Sequence, residues 1–374
     1  MSHILVTGGA GFIGSHLVDA LIERGHQVRV LDSLVEQVHG PDAERPAQLH
    51  PAAEFLRGDV REVEVMRRAL QGIEVIYHEA AEVGVGQSMY EVTRYVGGNT
   101  YATSVLLEIL ANEKHTIKRL IVASSMSIYG EGAYLCRAHG RVHPFLRPEE
   151  QLARKDWEMK CPECGQPVEI MGTPEDKPLF PTSIYAISKM DQELMCLSIG
   201  RAYNIPTVAL RYFNVYGPRQ ALSNPYTGVA AIFSGRLLNG NRPVIFEDGQ
   251  QSRDFTHVSD IVQANLLALE GDEAVDEVFN VGTGRALSVC DVAMALINEL
   301  KVSIQPEIVG GFRAGDIRHC VADIGKARRL LGYTPRVKFE DGLTELVTWV
   351  KSQHAHDRVE QARRELAQRG LIRA

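Results

Sequence analysis

The sequence predicts an α/β protein built on a doubly wound parallel sheet, and three observations predict it. Short β-branched runs alternate with helical patterns through the first half, a glycine-rich turn follows the first of those runs, and the second half is less regular and richer in Pro, Gly and Arg. Strands alternating with helices imply βαβ units whose sheet is covered on both faces. Right-handed crossovers then leave few topologies besides the doubly wound one.

The strand candidates are Ile4–Thr7, Gln27–Asp32, Glu54–Asp59, Val75–Glu79 and Arg119–Ser125, with Thr207–Phe213 following later. Helical periodicity fills the gaps, in Ile13, Leu17 and Leu21, then Val63 to Leu70, then Val105 to Leu110. On this pattern residues 1–130 and 174–213 make a Rossmann dinucleotide-binding domain. Residues 214–350 are expected to form mainly a smaller α/β substrate domain, partly interleaved with the first, with strands near Val244–Glu247 and Val278–Val281 and a helix near Val258–Leu269. Residues 351–374 read as a charged helical tail, solvated or frayed. Residues 131–173 break the pattern, with no clear strand or long helix.

With 45% hydrophobic and 23% charged residues the composition is that of an ordinary globular protein. A formal charge of -7 argues against a nucleic-acid stripe but leaves room for local basic pockets. No run of eighteen apolar residues is present, so no membrane span is expected, and the chain opens directly on a strand without a basic leader, which predicts a cytoplasmic protein.

The opening reads strand, Thr7-Gly8-Gly9-Ala10-Gly11-Phe12-Ile13-Gly14, then helix. Gly8 permits the tight turn, Gly11 lets the backbone approach a pyrophosphate, and Gly14 lets helix and strand pack closely; the phosphates meet free N–H groups at the helix start. Asp32, ending the second strand, can accept from both ribose hydroxyls and repels a 2′-phosphate, which favours NAD over NADP. Asp59, after Arg57-Gly58, is either an adenine-side ligand or a turn residue.

Two further patterns point to hydride chemistry. Ser124-Ser125-Met126-Ser127-Ile128-Tyr129-Gly130 follows a buried strand, and ligands in such folds sit beyond the carboxyl ends of strands. Ser183 to Lys189 begins a helix on which Tyr185 and Lys189, four apart, share a face. An ammonium beside a phenol stabilises its ionised form, lowering a pKa of about 10 and fitting the phenol to take a proton from a sugar hydroxyl. Tyr-x-x-x-Lys alone is common on helices; it gains meaning from following the glycine turn and the serine strand.

In this order the glycines at 8, 11 and 14, the strand-end Asp32, Ser-Ser-x-x-x-Tyr-Gly and Tyr-x-x-x-Lys resemble the extended short-chain dehydrogenase/reductases, and among them the nucleotide-sugar epimerases and dehydratases. Arg211 to Arg219, Arg253 to Asp260, Asn280 to Gly284 and Arg313 to Asp316 extend the likeness over nearly the whole chain, apart from 131–173 and the last twenty or so residues. The resemblance implies Tyr185 as base, Lys189 as its tuner and a nicotinamide-ribose ligand, and Ser125 as partner of the reacting hydroxyl. It adds Phe12, Ile13, Val60 and Ala80 to the cofactor's surroundings. Val85 joins the substrate's, with Asn214, Arg253 and Arg313 on the nucleotide diphosphate, where guanidiniums bind bidentately; a surface salt bridge is the alternative for each arginine. In relatives the helices matching those near Thr100–Ala111 and Ser183–Tyr203 often form a dimer interface, so the resemblance implies a homodimer.

Family dehydratases carry an Asp-Glu pair after the residue matching Ser125, and family decarboxylases a glutamate at the position of Ser127. Here stand Met126 and Ser127, so the resemblance implies epimerisation: oxidation, rotation of the ketosugar, and reduction on the other face. Gly86 replaces an arginine frequent in relatives acting on uronic acids, and Cys320, near a position gating the sugar, is small. A neutral or 6-deoxy hexose follows. The chain looks most like the dTDP-L-rhamnose 4-epimerase group, with the UDP-glucose/galactose 4-epimerases second. A non-catalytic dinucleotide sensor with a zinc interaction module is the reading from a different class.

Six cysteines in a chain without an export signal read as thiols or metal ligands. Cys196 and Cys290 are expected as small buried hydrophobes. Cys136-Arg137-Ala138-His139-Gly140 and Cys161-Pro162-Glu163-Cys164-Gly165 are two ligand pairs, each spaced by two residues and closed by glycine. They predict a structural Cys3His zinc site of Cys136, His139, Cys161 and Cys164 that staples residues 131–173, with His143 the alternative to His139. A redox Cys-x-x-Cys and unligated thiols are the rival readings.

Overall fold

A computed structural model describes residues 1–41 and 43–373. Seven strands form one parallel sheet. Five come from the first third of the chain: β1 (His3–Thr7), β2 (Gln27–Asp32), β3 (Glu54–Arg57), β4 (Val75–His78) and β5 (Arg119–Ser125). The inserted segment carries β6 (Ala133–Cys136), β7 (Gly140–Val142) and β8 (Glu169–Met171), and the main sheet resumes with β9 (Thr207–Tyr212). Its order is Glu277–Val281, β9, β5, β4, β1, β2, β3. The order reverses at β1, which pairs with β2 on one side and β4 on the other, so Thr7 lies beside both Leu31 and His78. That crevice, beyond the carboxyl ends, is where such sheets take ligands.

The alternation of the strands explains the two layers. Ile4 and Val6 face a core with Leu17, Val18 and Leu21 of helix α1 (Phe12–Glu23) and with the Val258–Glu270 helix. Leu5 and Leu31 face the opposite core, closed by the Ala102–Asn112 and Ile184–Tyr203 helices. Every residue of β5 and β9 is buried, as strands covered on both faces require.

Three expectations change. The strand expected near Val278–Val281 pairs in parallel with β9, Val281 opposite Tyr212, so it belongs to the main sheet rather than to the smaller unit; its buried Phe279 and Val281 complete the first core. Residues 131–173 do hold regular structure: β6 pairs antiparallel with β7 and β8, and a turn of helix spans Glu149–Ala153. Those strands are too short for alternation to show in the sequence. The tail is docked: it carries a helix, Val359–Gln368, and its Ile372–Arg373 pairs antiparallel with Phe312–Arg313. Its buried Ala362 and Leu366 lie four apart in an otherwise charged run.

The smaller lobe joins Asn214–Tyr216, Ser252–His257, Ala286–Ser288 and His319–Cys320 in one sheet over its own core, with Tyr216, Phe255, Leu296 and Leu346. Among the described residues no helix is long and apolar enough to cross a membrane.

A buried charge cluster fastens the insert to this lobe. Arg147 of the insert donates to both oxygens of Glu247 at 2.8 and 2.9 Å. Arg318, with no exposed surface, donates to Glu247 at 3.0 Å, to Asp248 at 2.6 and 3.0 Å, and pairs with Glu158 of the insert. Removing one partner strands buried charges. Glu247→Ala is therefore predicted to lower unfolding free energy by about 3–5 kcal/mol in urea titration, with Glu247→Asp losing less; a loss below about 1 kcal/mol would contradict the cluster's bracing role.

Candidate active site

One cleft of about 470 Å³ opens at the crevice, lined by the glycine turn, the ends of β2, β4 and β5, the start of the Ile184–Tyr203 helix and the Tyr212–Val215 segment. Gly8 has φ +69°, and a Cβ there would stand 2.8 Å from the Ala80 backbone. A Cβ on Gly14 would collide with the Gly8 carbonyl oxygen. Helix α1 begins at Gly11 with no side chain capping it, so its first N–H groups are free for an anion. Phe12, Ile13 and Gly14 line the cleft at that point.

Asp32 accepts from the Ala10 amide at 3.0 Å and the Leu34 amide at 2.9 Å, which fixes its carboxylate at the mouth of β2. Each oxygen keeps a lone pair for a ribose hydroxyl. Asp59 is held by Arg61, whose Nε donates at 3.0 Å; that bond keeps its carboxyl below the usual range. Val60, Ala80 and Val85 also line the cleft.

At the other end, Ser125, Tyr185 and Lys189 meet. Ser125 ends β5 and accepts from the Ser127 amide at 3.2 Å and the Ser127 hydroxyl at 2.9 Å, which sets its Oγ at the strand tip. Ser183 caps the next helix by accepting from the Ala186 amide at 3.1 Å, and this orients its first turns, bearing Tyr185 and Lys189, along the cleft. The Tyr185 phenol titrates above its ordinary value because it is buried, and its hydrogen bond with Ser125 opposes the rise. The expected lowering by Lys189 is not present in this state: Lys189 Nζ donates to Gln192 at 2.8 Å, and burial brings the ammonium down to about 8, opposed by Glu79.

Glu79 is the residue that sequence reasoning missed. It follows β4 into the cleft, receives the Tyr212 hydroxyl at 2.7 Å, and is pushed up to about 7 by burial. Its signal was position alone, a carboxylate just past a fully buried strand. Asn214 also lines the cleft, and its Oδ1 is buried without a partner.

Four expected placements differ. Arg253 does not line the cleft; its guanidinium donates to the carbonyls of Ser252, Arg318 and Ile317 at 2.8, 2.9 and 2.8 Å, so it is occupied in pinning neighbouring strands. Arg313 is exposed, bonded to Asp316 at 2.8 Å and stacked 5.0 Å over Phe246. Cys320 is buried against Thr173 and stands outside the cleft lining. Cys290 is only half-buried, whereas Cys196 is fully buried as expected.

In the insert, Cys136, His139, Cys161 and Cys164 bring their donor atoms within 4.8 Å of one another. Cys136 and Cys164 sulfurs lie 3.8 Å apart, and His139 Nδ1 lies 3.6 and 3.5 Å from the sulfurs of Cys136 and Cys161. A tetrahedral ion with bonds of about 2.3 Å to sulfur and 2.0 Å to nitrogen has edges of about 3.5–3.8 Å, so the donor set fits zinc. Gly140 and Gly165 close the two turns at φ +69°. His143 stands outside this group, beside Lys177 and Asp176. None of the four ligands lines the cleft.

Comparisons with known proteins follow the same lines. The model of the NAD dependent epimerase/dehydratase family matches residues 4–151, and the GDP-mannose 4,6 dehydratase model matches residues 165–346. A dTDP-L-rhamnose 4-epimerase of Burkholderia thailandensis is 34% identical over 94% of this chain and 95% of its own. UDP-glucose 4-epimerase of Thermotoga maritima, solved with UDP-glucose, is 33% identical with a TM-score of 0.75, covering 94% of this chain and 99% of that one. UDP-glucuronic acid 4-epimerase of Bacillus cereus, solved with UDP-glucuronic acid and NAD, is 29% identical with a TM-score of 0.76, covering 94% and 100%.

Burying Lys189 carries a cost that the sign of its shift makes testable. Below pH 8 the amine is charged in both states and the whole penalty applies; between about 8 and the ordinary 10.5 the unfolded chain holds the proton longer, so stability rises with pH. Lys189→Met is predicted to stabilise the cofactor-free protein at pH 7 by on the order of 1–3 kcal/mol, with the gain vanishing above pH 10.5. Urea titration at both pH values checks this, and a variant destabilised at pH 7 would contradict it.

Proposed function

The chain belongs to the NAD-dependent epimerase/dehydratase family of extended short-chain dehydrogenase/reductases, as a nucleotide-sugar 4-epimerase, and we propose that its substrate is a dTDP-6-deoxyhexose of the dTDP-L-rhamnose kind. One observation carries the reaction class: Ser125, Tyr185 and Lys189 share a cleft with the glycine cradle, while the two positions after Ser125 hold Met126 and Ser127. Neither side chain can serve as the acid and base of water elimination at neutral pH.

The dinucleotide fits this chain at the uncapped start of α1, with Gly8, Gly11 and Gly14 giving the diphosphate close approach and Asp32 facing a ribose. NAD supplies the acceptor and donor of the hydride at C4. Tyr185 Oη takes the proton of the C4 hydroxyl as the carbon-bound hydride leaves, and returns it to the same oxygen when the hydride re-adds to the other face of C4. Ser125 Oγ, already oriented by Ser127, donates to the same oxygen and polarises it. Lys189 would hold the nicotinamide ribose by turning its ammonium from Gln192 to a ribose hydroxyl, and a positive charge brought toward the phenol there would favour the phenolate. The diphosphate lies against Asn214, whose unpartnered Oδ1 pairs with a ligand donor while its amide N–H reaches a phosphate oxygen. Arg313, exposed and tethered only to Asp316 and Phe246, swings onto the diphosphate; Arg253, pinned by three carbonyls, acts through the strand it holds.

A sugar without a carboxylate follows from Gly86 and the apolar Val85 at the loop. Zinc at Cys136, His139, Cys161 and Cys164 is structural: four ligands close the site, and the apolar cluster around them is small, made of Tyr134, Cys136, Val142, Met159 and Cys161. A homodimer is proposed on the adjoining Val96–Tyr101 and Ile184–Tyr203 helices, where Val96, Tyr101, Ile187 and Leu194 are exposed. A cytoplasmic site of action completes the reading.

Incubation with dTDP-L-rhamnose, UDP-glucose and other nucleotide sugars is predicted to invert C4 of the dTDP-6-deoxyhexose with the highest kcat/KM, without added NAD. Tyr185→Phe is predicted to lower kcat by about 10²–10⁴ while bound NAD is unchanged; equal turnover by wild type and variant would end the enzymatic reading. Metal analysis is predicted to find one zinc per chain, and Cys161→Ser with Cys164→Ser to abolish it and expose residues 131–173 to protease. Full folding without metal would contradict the staple.

A further inference from the structure

We propose that the C-terminal segment 359–373 is a strap that positions the sugar end of the cleft, with Glu365 and Leu366 as its positioning residues. The inference rests on the nucleotide-sugar reading above. The wall it supports is the loop from Val83 to Val85, which lines the cleft together with Tyr226 and Thr227. That loop is thin and wedged. Gly84 has φ +148°, and a Cβ there would stand 2.6 Å from the Tyr95 hydroxyl and 2.9 Å from Tyr226 Cβ. No side chain extends from Gly84 or Gly86 to anchor it, so its position depends on what packs behind.

What packs behind is the strap. The Leu366 methyls stand 3.5 Å from where a Gly86 Cβ would be, and Leu366 is 7% exposed. Glu365 accepts from the Tyr90 hydroxyl at 3.0 Å and from the Tyr226 hydroxyl at 3.1 Å, joining the loop's continuation to the residue that Gly84 packs on. The two hydroxyls are themselves 2.5 Å apart, and the Arg369 guanidinium lies 4.2 Å over the Tyr90 ring. Beyond the helix, Ile372–Arg373 pairs with Phe312–Arg313, the Leu371 carbonyl accepts from the Ala314 amide at 3.0 Å, and Arg373 pairs with Glu149 of the insert. One strap thus holds the loop, the Tyr226 segment it packs on and the backbone that carries Arg313. A run this charged has little to bury, and its two buried side chains, Ala362 and Leu366, lie on the helix that makes this contact.

The test uses the full chain with Glu365→Gln and Leu366→Ala, singly and together, and a chain ending at Gln353. KM for the nucleotide sugar is expected to rise about tenfold or more in the double variant and further in the shortened chain, with kcat changed less than about threefold. Bound NAD and kcat of the double variant stay near wild-type values even if its unfolding midpoint falls somewhat, and Leu366→Met restores KM. An unchanged KM overturns the strap. So does a parallel fall of kcat, bound NAD and stability, the pattern of a merely structural segment. A wild-type chain that turns over no nucleotide sugar fails the parent reading instead, which is visible before any variant is made.

Discussion

Everything at the site depends on how closely the backbone of the first strand approaches the first helix and the end of the fourth strand. Gly14 must lack a side chain for α1 to sit on the Gly8 carbonyl, and Gly8 must lack one to pass Ala80. That approach leaves uncapped amides pointing into the crevice where the sheet order reverses. An anion there meets oriented dipoles and donors without further reorganisation. A pyrophosphate held there would let a dinucleotide reach along the cleft toward Ser125, Tyr185 and Lys189, which line the same cleft. The hydroxyl chemistry is then a matter of distance along one edge of the sheet.

The far end of the cleft is electrostatically uneasy. Buried Lys189 and Tyr212 and half-buried Glu79 and Tyr185 share one region, the carboxyl pushed up to about 7 and the amine down to about 8. Such displaced groups are destabilising to the fold and persist where chemistry needs them. Elsewhere the same chain satisfies its buried charge: Arg211 meets Glu193 at 2.6 and 2.9 Å, and Asp254 accepts the Thr283 and Gly284 amides at 2.9 and 2.8 Å. Dense hydrogen bonding marks these as structural groups, although burial raises the Asp254 carboxyl as well. It also accounts for motifs such as Arg253-Asp254 and Asn280 to Gly284, whose side chains hold loops and strands together.

Much of the main sheet was legible because its strands are buried on both faces and its turns carry glycine. The cofactor residues were legible for the same reason: backbone approach restricts residue type. What escaped notice was set by contacts between distant segments. The Glu277–Val281 strand reads like any short apolar run until its parallel partner is known. The insert's strands are three or four residues long, and what marked the segment was the spacing of its cysteines. The tail looked solvated because two buried residues in a charged helix give little periodic signal. Arg253 shows the converse limit, since its sequence context marks an arginine at a site while only the coordinates reveal three carbonyls occupying it.

The central claim is that one tyrosine, one serine and one lysine manage a hydroxyl proton while the carbon-bound hydrogen leaves and returns within a closed cleft. A substrate deuterated at C4, turned over in ordinary water to equilibrium between the two epimers, tests this directly by mass spectrometry and NMR. The account predicts that both epimers keep the deuterium at C4. Loss of the label to solvent, as proton abstraction from carbon would give, contradicts it.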